Sequence, residues 1–139
     1  MGIVFALALG CRLAYDFFLR QHYFFYDHPS GDVTYYQEWA AQIARGDWLG
    51  KKAFYGLPLY PYFLAIIQRL TLENIFAIRL FHFLLGSINC VLIFQIGKVV
   101  FGRRVGVLAA VLAATNFVLI FYDWLMMPVP VLIFLSLVI

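Results

Sequence analysis

An all-α, polytopic membrane bundle is the fold class this sequence predicts, and three observations predict it. The 139 residues are 65% hydrophobic and only 12% charged, with a mean hydropathy of +0.89. Soluble domains are about half apolar and about a quarter charged, so this chain lacks the polar residues to cover a water-facing surface. The apolar residues are gathered into runs of membrane-crossing length rather than alternating with polar ones. Finally, 19% of the chain is aromatic, which suits the membrane–water boundary.

The formal charge of +3 is small and scattered, which argues against nucleic-acid binding. Cys11 and Cys90 lie in apolar stretches without metal-ligand spacing and read as small buried hydrophobes. The N-terminal apolar stretch has neither a cationic start nor a small-residue cleavage site, so it reads as a first span and not a cleaved signal. No glycine-rich nucleotide loop, zinc-peptidase motif or paired C-x-x-C occurs, which leaves nucleotide-dependent and zinc-peptidase chemistry without support.

Residues 2–20 supply the first transmembrane helix, interrupted by Arg12 and Asp16. Residues 21–74 form a long outer loop punctuated by Pro29, Gly31, Gly46, Gly50, Gly56, Pro58 and Pro61. Within it Val33, Tyr36, Trp39, Ala40 and Ile43 recur at helical spacing, predicting an interfacial helix over about 33–45 that Gly46 ends. A second segment, 58–70, is apolar around most of its circumference but too short to cross, and reads as interfacial or re-entrant. Residues 75–97 give a second span, 98–104 a turn and 105–122 a third span. A fourth run, 126–139, rises only about 21 Å as a helix, short of the roughly 30 Å hydrocarbon layer. It reads as a truncated span, and the chain as an N-terminal membrane fragment of a longer protein.

Lys98, Arg103 and Arg104 crowd the 98–104 turn, which places that turn in the cytoplasm and the long loop outside. Arg20, Arg45, Lys51, Lys52 and Arg69 lie in or beside the long loop and pull the other way, though less densely.

Several polar residues are candidates for chemistry. Asp32 follows Pro-Ser-Gly at a helix start, where a carboxylate acts as a cap or, alternatively, as a general base or metal ligand. Asp27 and His28 stand near it. Asp123 ends the third span on the same side, where it marks a boundary or converges with Asp32 to deprotonate an acceptor or hold a divalent cation. Arg12, Asp16, Arg79, His82 and Asn89 sit in or at the edges of spans, where ionisable groups usually face a protein interior. Arg12 and Asp16, one turn apart, are suited to pair with each other. Arg79 is placed to meet a lipid phosphate or to snorkel to the interface.

The stretches Gly31-Asp32-Val33-Thr34-Tyr35-Tyr36-Gln37-Glu38-Trp39-Ala40, Ile43-Ala44-Arg45-Gly46-Asp47-Trp48-Leu49-Gly50 and Pro58-Leu59-Tyr60-Pro61-Tyr62-Phe63-Leu64 together resemble the first outer loop of GT-C glycosyltransferases. The likeness is nearest to bacterial glycosyltransferase family 39, relatives of the dolichyl-phosphate-mannose–protein mannosyltransferases. The turn Phe101-Gly102-Arg103-Arg104 looks like their first cytoplasmic loop. The resemblance runs from about Gly31 to Asp123 and implies the N-terminal part of a GT-C fold. It implies a multi-pass protein of the cell membrane, in bacteria the inner membrane. Its activity would be that of a hexosyl- or pentosyltransferase, moving a sugar from a polyprenyl-phosphate donor to a lipid or protein acceptor on the outer face, with this fragment inactive alone. Asp32 and Asp123 take the acidic catalytic positions, and Arg45, Lys51, Lys52 and Arg79 are candidates to stabilise the donor phosphate. Two other classes stand beside this one. A transporter or flippase half would use the intramembrane charges as a pathway, and a non-catalytic membrane subunit would need Asp32 only as a cap.

Overall fold

The computed structural model describes residues 1–23, 26, 31–48 and 56–139, and the elements found there are all helices. They are α1 (Gly2–His22), α2 (Asp32–Ala44), α3 (Leu59–Thr71), α4 (Ile75–Phe101), α5 (Arg103–Thr115), α6 (Phe117–Trp124) and α7 (Val129–Val138). Two of these, α1 and α4, are long and apolar enough to cross a membrane, and the bent pair α5–α6 makes up to three. The 27 residues of α4 extend about 40 Å, beyond the hydrocarbon layer, so its ends reach into both interfaces.

The bundle centre forms where α1, α4 and α5 meet. Val4 and Ala8 of α1, Cys90 of α4, and Ala110 and Ala114 of α5 make its core. Small side chains dominate because lipid is as apolar as leucine, and helices gain in membranes by approaching closely rather than by leaving water. At Gly97 an added Cβ would lie 2.9 Å from the Gly106 Cα, so neither position of the α4–α5 contact admits a side chain. Large apolar residues such as Ile3, Phe17, Phe18, Ile88 and Leu112 point outward.

Three sequence expectations shift. The seven-residue turn at 98–104 contracts, because α4 continues through Phe101 and α5 begins at Arg103. Gly102 alone makes the reversal, at a φ of 91° that suits a residue without Cβ. Lys98, Arg103 and Arg104 remain exposed around it. The third span, expected unbroken over 105–122, is interrupted at Asn116 and bends by 50°. Asn116 takes an extended backbone and its side chain accepts from the Val118 and Leu119 N–H groups, 3.0 and 3.2 Å away, capping a new helix. The last run begins as a helix at Val129, because Met126 turns the chain at a φ of 58° and Pro128 follows.

Two helices stand between α1 and α4, α2 over Asp32–Ala44 and α3 over Leu59–Thr71. The face of α2 that is buried comprises Val33, Tyr36, Trp39, Ala40 and Ile43, the five residues whose spacing predicted the helix. They pack on Tyr60, Leu64, Ala65 and Ile67 of α3, with Ile78, Met126 and Val131 joining the pair to the bundle. Pro61 is tolerated in α3 because it stands in the first turn, where its missing N–H has no helical partner to lose. The single proton of the Tyr60 hydroxyl is shared between two acceptors, the Met126 carbonyl and His82 Nε2, the latter 2.9 Å away. His82 Nδ1 lies 2.9 Å from the Ile78 carbonyl, which fixes its proton on Nδ1 in the neutral ring. One buried tyrosine thus ties α3, α4 and the α6–α7 corner together. Burial, followed by the neighbouring Tyr36, pushes the Tyr60 hydroxyl well up from the usual tyrosine range.

Candidate functional site

The polar residues of the spans converge, but with partners that differ from those expected. Arg12 and Asp16 do not pair with each other. Arg12 reaches across to α6, where its Nε donates to Asp123 Oδ2 at 2.6 Å, and its Nη1 donates back to the Ala8 carbonyl at 3.0 Å. Asp16 instead accepts from the Tyr26 hydroxyl at 2.9 and 3.0 Å and from Trp124 Nε1 at 3.1 Å, with Arg79 Nη1 at 3.8 Å. A carboxylate has about four lone-pair sites, so hydrogen bonds from α6 and the loop after α1 saturate Asp16 better than one helical neighbour.

Gly86 makes the first pair possible. A Cβ there would stand 2.1 Å from Asp123 Oδ2 and 2.8 Å from Arg12 Nε. The glycine therefore opens the α4 surface to an ion pair whose two members are nearly fully buried, Arg12 at 1% and Asp123 at 3% exposure. Buried charges are tolerable only when paired and hydrogen-bonded, and this pair meets that condition.

Arg79, in the first turns of α4, is the most informative group. It is 2% exposed, and its guanidinium lies over the Tyr26 ring at 4.1 Å and the Trp124 ring at 4.6 Å. Its Nη2 donates to the Tyr26 carbonyl at 2.6 Å. Its Nε and Nη1 have no hydrogen-bond partner among the described residues. An unpaired buried donor costs about 1–3 kcal/mol, more when charged. It lines a cleft of about 390 Å³ between the end of α1 and the start of α4, with Arg20, Tyr26, Glu73 and Asn74 around it. Asp16 lies behind Arg79 with its oxygens already engaged, and the N-terminus of α4 adds a partial positive charge. Tyr26 itself stays protonated to higher pH than usual, first because it is buried and then because it donates to Asp16.

The other candidates are placed as follows. Asp32 is the first residue of α2 and is exposed; Gly31, at a φ of 75°, is the N-cap, and no side-chain cap bond forms there. The capping reading of Asp32 is thereby corrected to a first-turn carboxylate, placed to interact with the helix dipole. Asp123 is held inside the bundle by Arg12. Arg45 is the exposed C-cap of α2, about 20 Å along the helix axis from Asp32. Asp27, His28, Lys51 and Lys52 lie outside the described residues. No group of three or more His, Cys, Asp and Glu that could hold a metal ion occurs among the described residues.

Arg20, Tyr26, Gly86 and Trp124 were missed in the sequence because their roles depend on contacts between helices. Only Arg20 carried a signal, as a cation in the last turn of the first span.

Comparison with curated proteins gave no match, and comparison with solved structures gave none either. A family model did match, that of the dolichyl-phosphate-mannose-protein mannosyltransferases, over residues 51–139. This takes in the α3–α7 region with Arg79, His82, Gly86 and Asp123, while Asp32 precedes it. With more than half of its length matched and an all-helical, membrane-spanning architecture, the chain belongs to the dolichyl-phosphate-mannose-protein mannosyltransferase family of membrane glycosyltransferases.

Proposed function

We propose that this protein transfers a sugar from a polyprenyl-phosphate-linked donor to a lipid or protein acceptor on the non-cytoplasmic side of the membrane. The observation that carries the reading is the buried guanidinium of Arg79, whose Nε and Nη1 make no hydrogen bond among the described residues, beside a cleft that Arg20 also lines. A guanidinium fork matches phosphate oxygens, and a site screened from water by Tyr26 and Trp124 strengthens the attraction. Arg79 and Arg20 take the donor phosphate and stabilise the charge that develops on it as the sugar leaves. The cationic turn at Gly102 lies at the far end of α4, which supports an outward-facing cleft by the positive-inside rule.

Asp32 is the acceptor base in this reading. It is exposed, it begins α2, and its carboxylate is engaged in no cap bond, so it is available to take a proton from an acceptor hydroxyl or amine. Asp123, bound to Arg12, acts by holding α6 and its Trp124 in place rather than as a second base. Arg45 stands at the other end of α2 and is left out of the donor site.

The intramembrane charges also motivated a transporter reading. Arg12 with Asp123 is a hydrogen-bonded pair inside the bundle, an arrangement suited to holding helices together.

The test uses the full-length protein in membranes with a polyprenyl-phosphate-linked sugar. Arg20→Gln, at an exposed position, is expected to raise the donor KM severalfold with kcat little changed. Asp32→Asn is expected to lower kcat by about 10²–10⁴-fold, the usual worth of a general base, at unchanged donor KM. Undiminished turnover in Asp32→Asn would remove that residue from the chemistry, and an unchanged donor KM in Arg20→Gln would move the phosphate elsewhere.

A further inference from the structure

A second cleft, also about 390 Å³, opens between the C-terminal ends of α2 and α3, lined by Ala41, Ala44, Arg45, Gln68 and Arg69 with Glu73 beside them. Its floor holds an unmet hydrogen-bonding demand. Gln68 is only 7% exposed, and its Nε2 donates to the Gln37 carbonyl at 3.3 Å. That bond fixes the orientation of the amide, because turning it over would set two acceptor oxygens against each other. Oε1 is then the outstanding atom, and it has no hydrogen-bond partner among the described residues. It requires a donor.

Two guanidinium groups, Arg45 and Arg69, flank this acceptor from exposed positions. They are not needed to satisfy the helix ends. The Ala41, Gln42 and Ile43 carbonyls already accept from the Arg45 N–H, and the Gln68 carbonyl accepts from the Leu72 and Glu73 N–H groups. A ligand that meets both demands carries an anionic group for the arginines and a neutral hydroxyl for the amide oxygen. The α2 and α3 helices are amphipathic, the character of helices that settle among lipid headgroups.

We infer that this cleft binds the headgroup of an anionic, hydroxyl-bearing bilayer lipid, a phosphoglycerol being the simplest, with its phosphate on Arg45 and Arg69 and a hydroxyl donating to Gln68 Oε1. The site adjoins the donor cleft, with Glu73 on the wall of both, but Arg45, Gln68 and Arg69 belong to this cleft, and its Arg45 stands about 20 Å along α2 from Asp32. It anchors the interfacial pair to the membrane, and it does not depend on the proposed glycosyl transfer.

The test titrates the full-length protein in detergent with two short-chain lipids of equal charge and reads binding by native mass spectrometry. Dihexanoyl phosphatidylglycerol offers the hydroxyl, and dihexanoyl phosphatidylmethanol lacks it. The glycerol lipid is expected to bind about fivefold tighter, as one neutral hydrogen bond allows. Gln68→Met is expected to erase that preference. Arg45→Gln and Arg69→Gln, surface changes that do not threaten folding, are each expected to weaken both lipids about threefold. Equal binding of the two lipids to the native protein overturns the inference, as does unaltered binding in both arginine variants. Displacement of the bound glycerol lipid by geranyl phosphate also overturns it, by giving the cleft to the sugar donor.

Discussion

Replacing Gly86 with alanine sets two well-known effects against each other. Inside a helix, alanine is favoured over glycine by about 1 kcal/mol, so α4 taken alone predicts a more stable protein. The bundle predicts the opposite. The new methyl carbon would stand 2.1 Å from Asp123 Oδ2 and 2.8 Å from Arg12 Nε, far inside van der Waals contact. Asp123 is fixed by Arg12 at 2.6 Å, and Arg12 by the Ala8 carbonyl, so neither retreats without separating the pair. Separating a buried ion pair costs about 3–5 kcal/mol. The net expectation is a loss of about 2–4 kcal/mol once helix propensity is subtracted. Thermal unfolding of the purified protein in mild detergent reads this directly. Gly10→Ala is the control, since a Cβ there meets nothing within 4 Å, and it is expected to be neutral or stabilising. A second arm places Gly86→Ala in an Asp123→Ala background, where the 2.1 Å contact is gone and only the Arg12 contact at 2.8 Å remains, so the cost of the alanine is expected to shrink. Equal behaviour of the Gly86 and Gly10 variants would refute the close packing of Arg12 and Asp123 on α4.

Further expectations follow from single contacts. Gly97→Ala forces the α4 and α5 backbones apart, because the intruding Cβ meets the Gly106 Cα at 2.9 Å; a cost of about 1–3 kcal/mol is expected in the same unfolding assay. Asn116→Ala removes the side-chain cap of α6 and is expected to cost about 1 kcal/mol, whereas no change would mean that α5 and α6 are held at their bend by packing alone. The Tyr60 hydroxyl is favoured in its neutral form by burial, so its contribution is complete below the ordinary tyrosine pKa of 10.0 and is lost as pH rises above it. Stability is therefore expected to fall more steeply above that pH in the native protein than in Tyr60→Phe, and parallel alkaline profiles would sink the assignment.

How far the sequence reached can be judged from particular residues. Composition and run length alone determined a helical membrane protein, because an apolar backbone in lipid must satisfy its own hydrogen bonds. Period alone determined α2, whose five expected core residues are its buried residues, since a 3.6-residue repeat places them on one face whatever lies opposite. The break at Asn116 was less legible, because one capping side chain in a continuous apolar run looks the same as a tolerated polar residue until its backbone is seen. Partner choice belonged to the tertiary structure. Arg12 and Asp16 stand one turn apart, yet each finds its hydrogen bonds on α6 and around it, over separations of 111 and 108 residues. Gly86 carries no signal of its own, and its purpose emerges only when α1 and α6 bring two charges against it. The cleft at Arg79 likewise depends on Tyr26 and Trp124 arriving from opposite ends of the chain. Hydrophobic pattern is a local property and can be read along one chain segment. The pairing of buried charges is decided by which helices touch, and only the assembled bundle decides that.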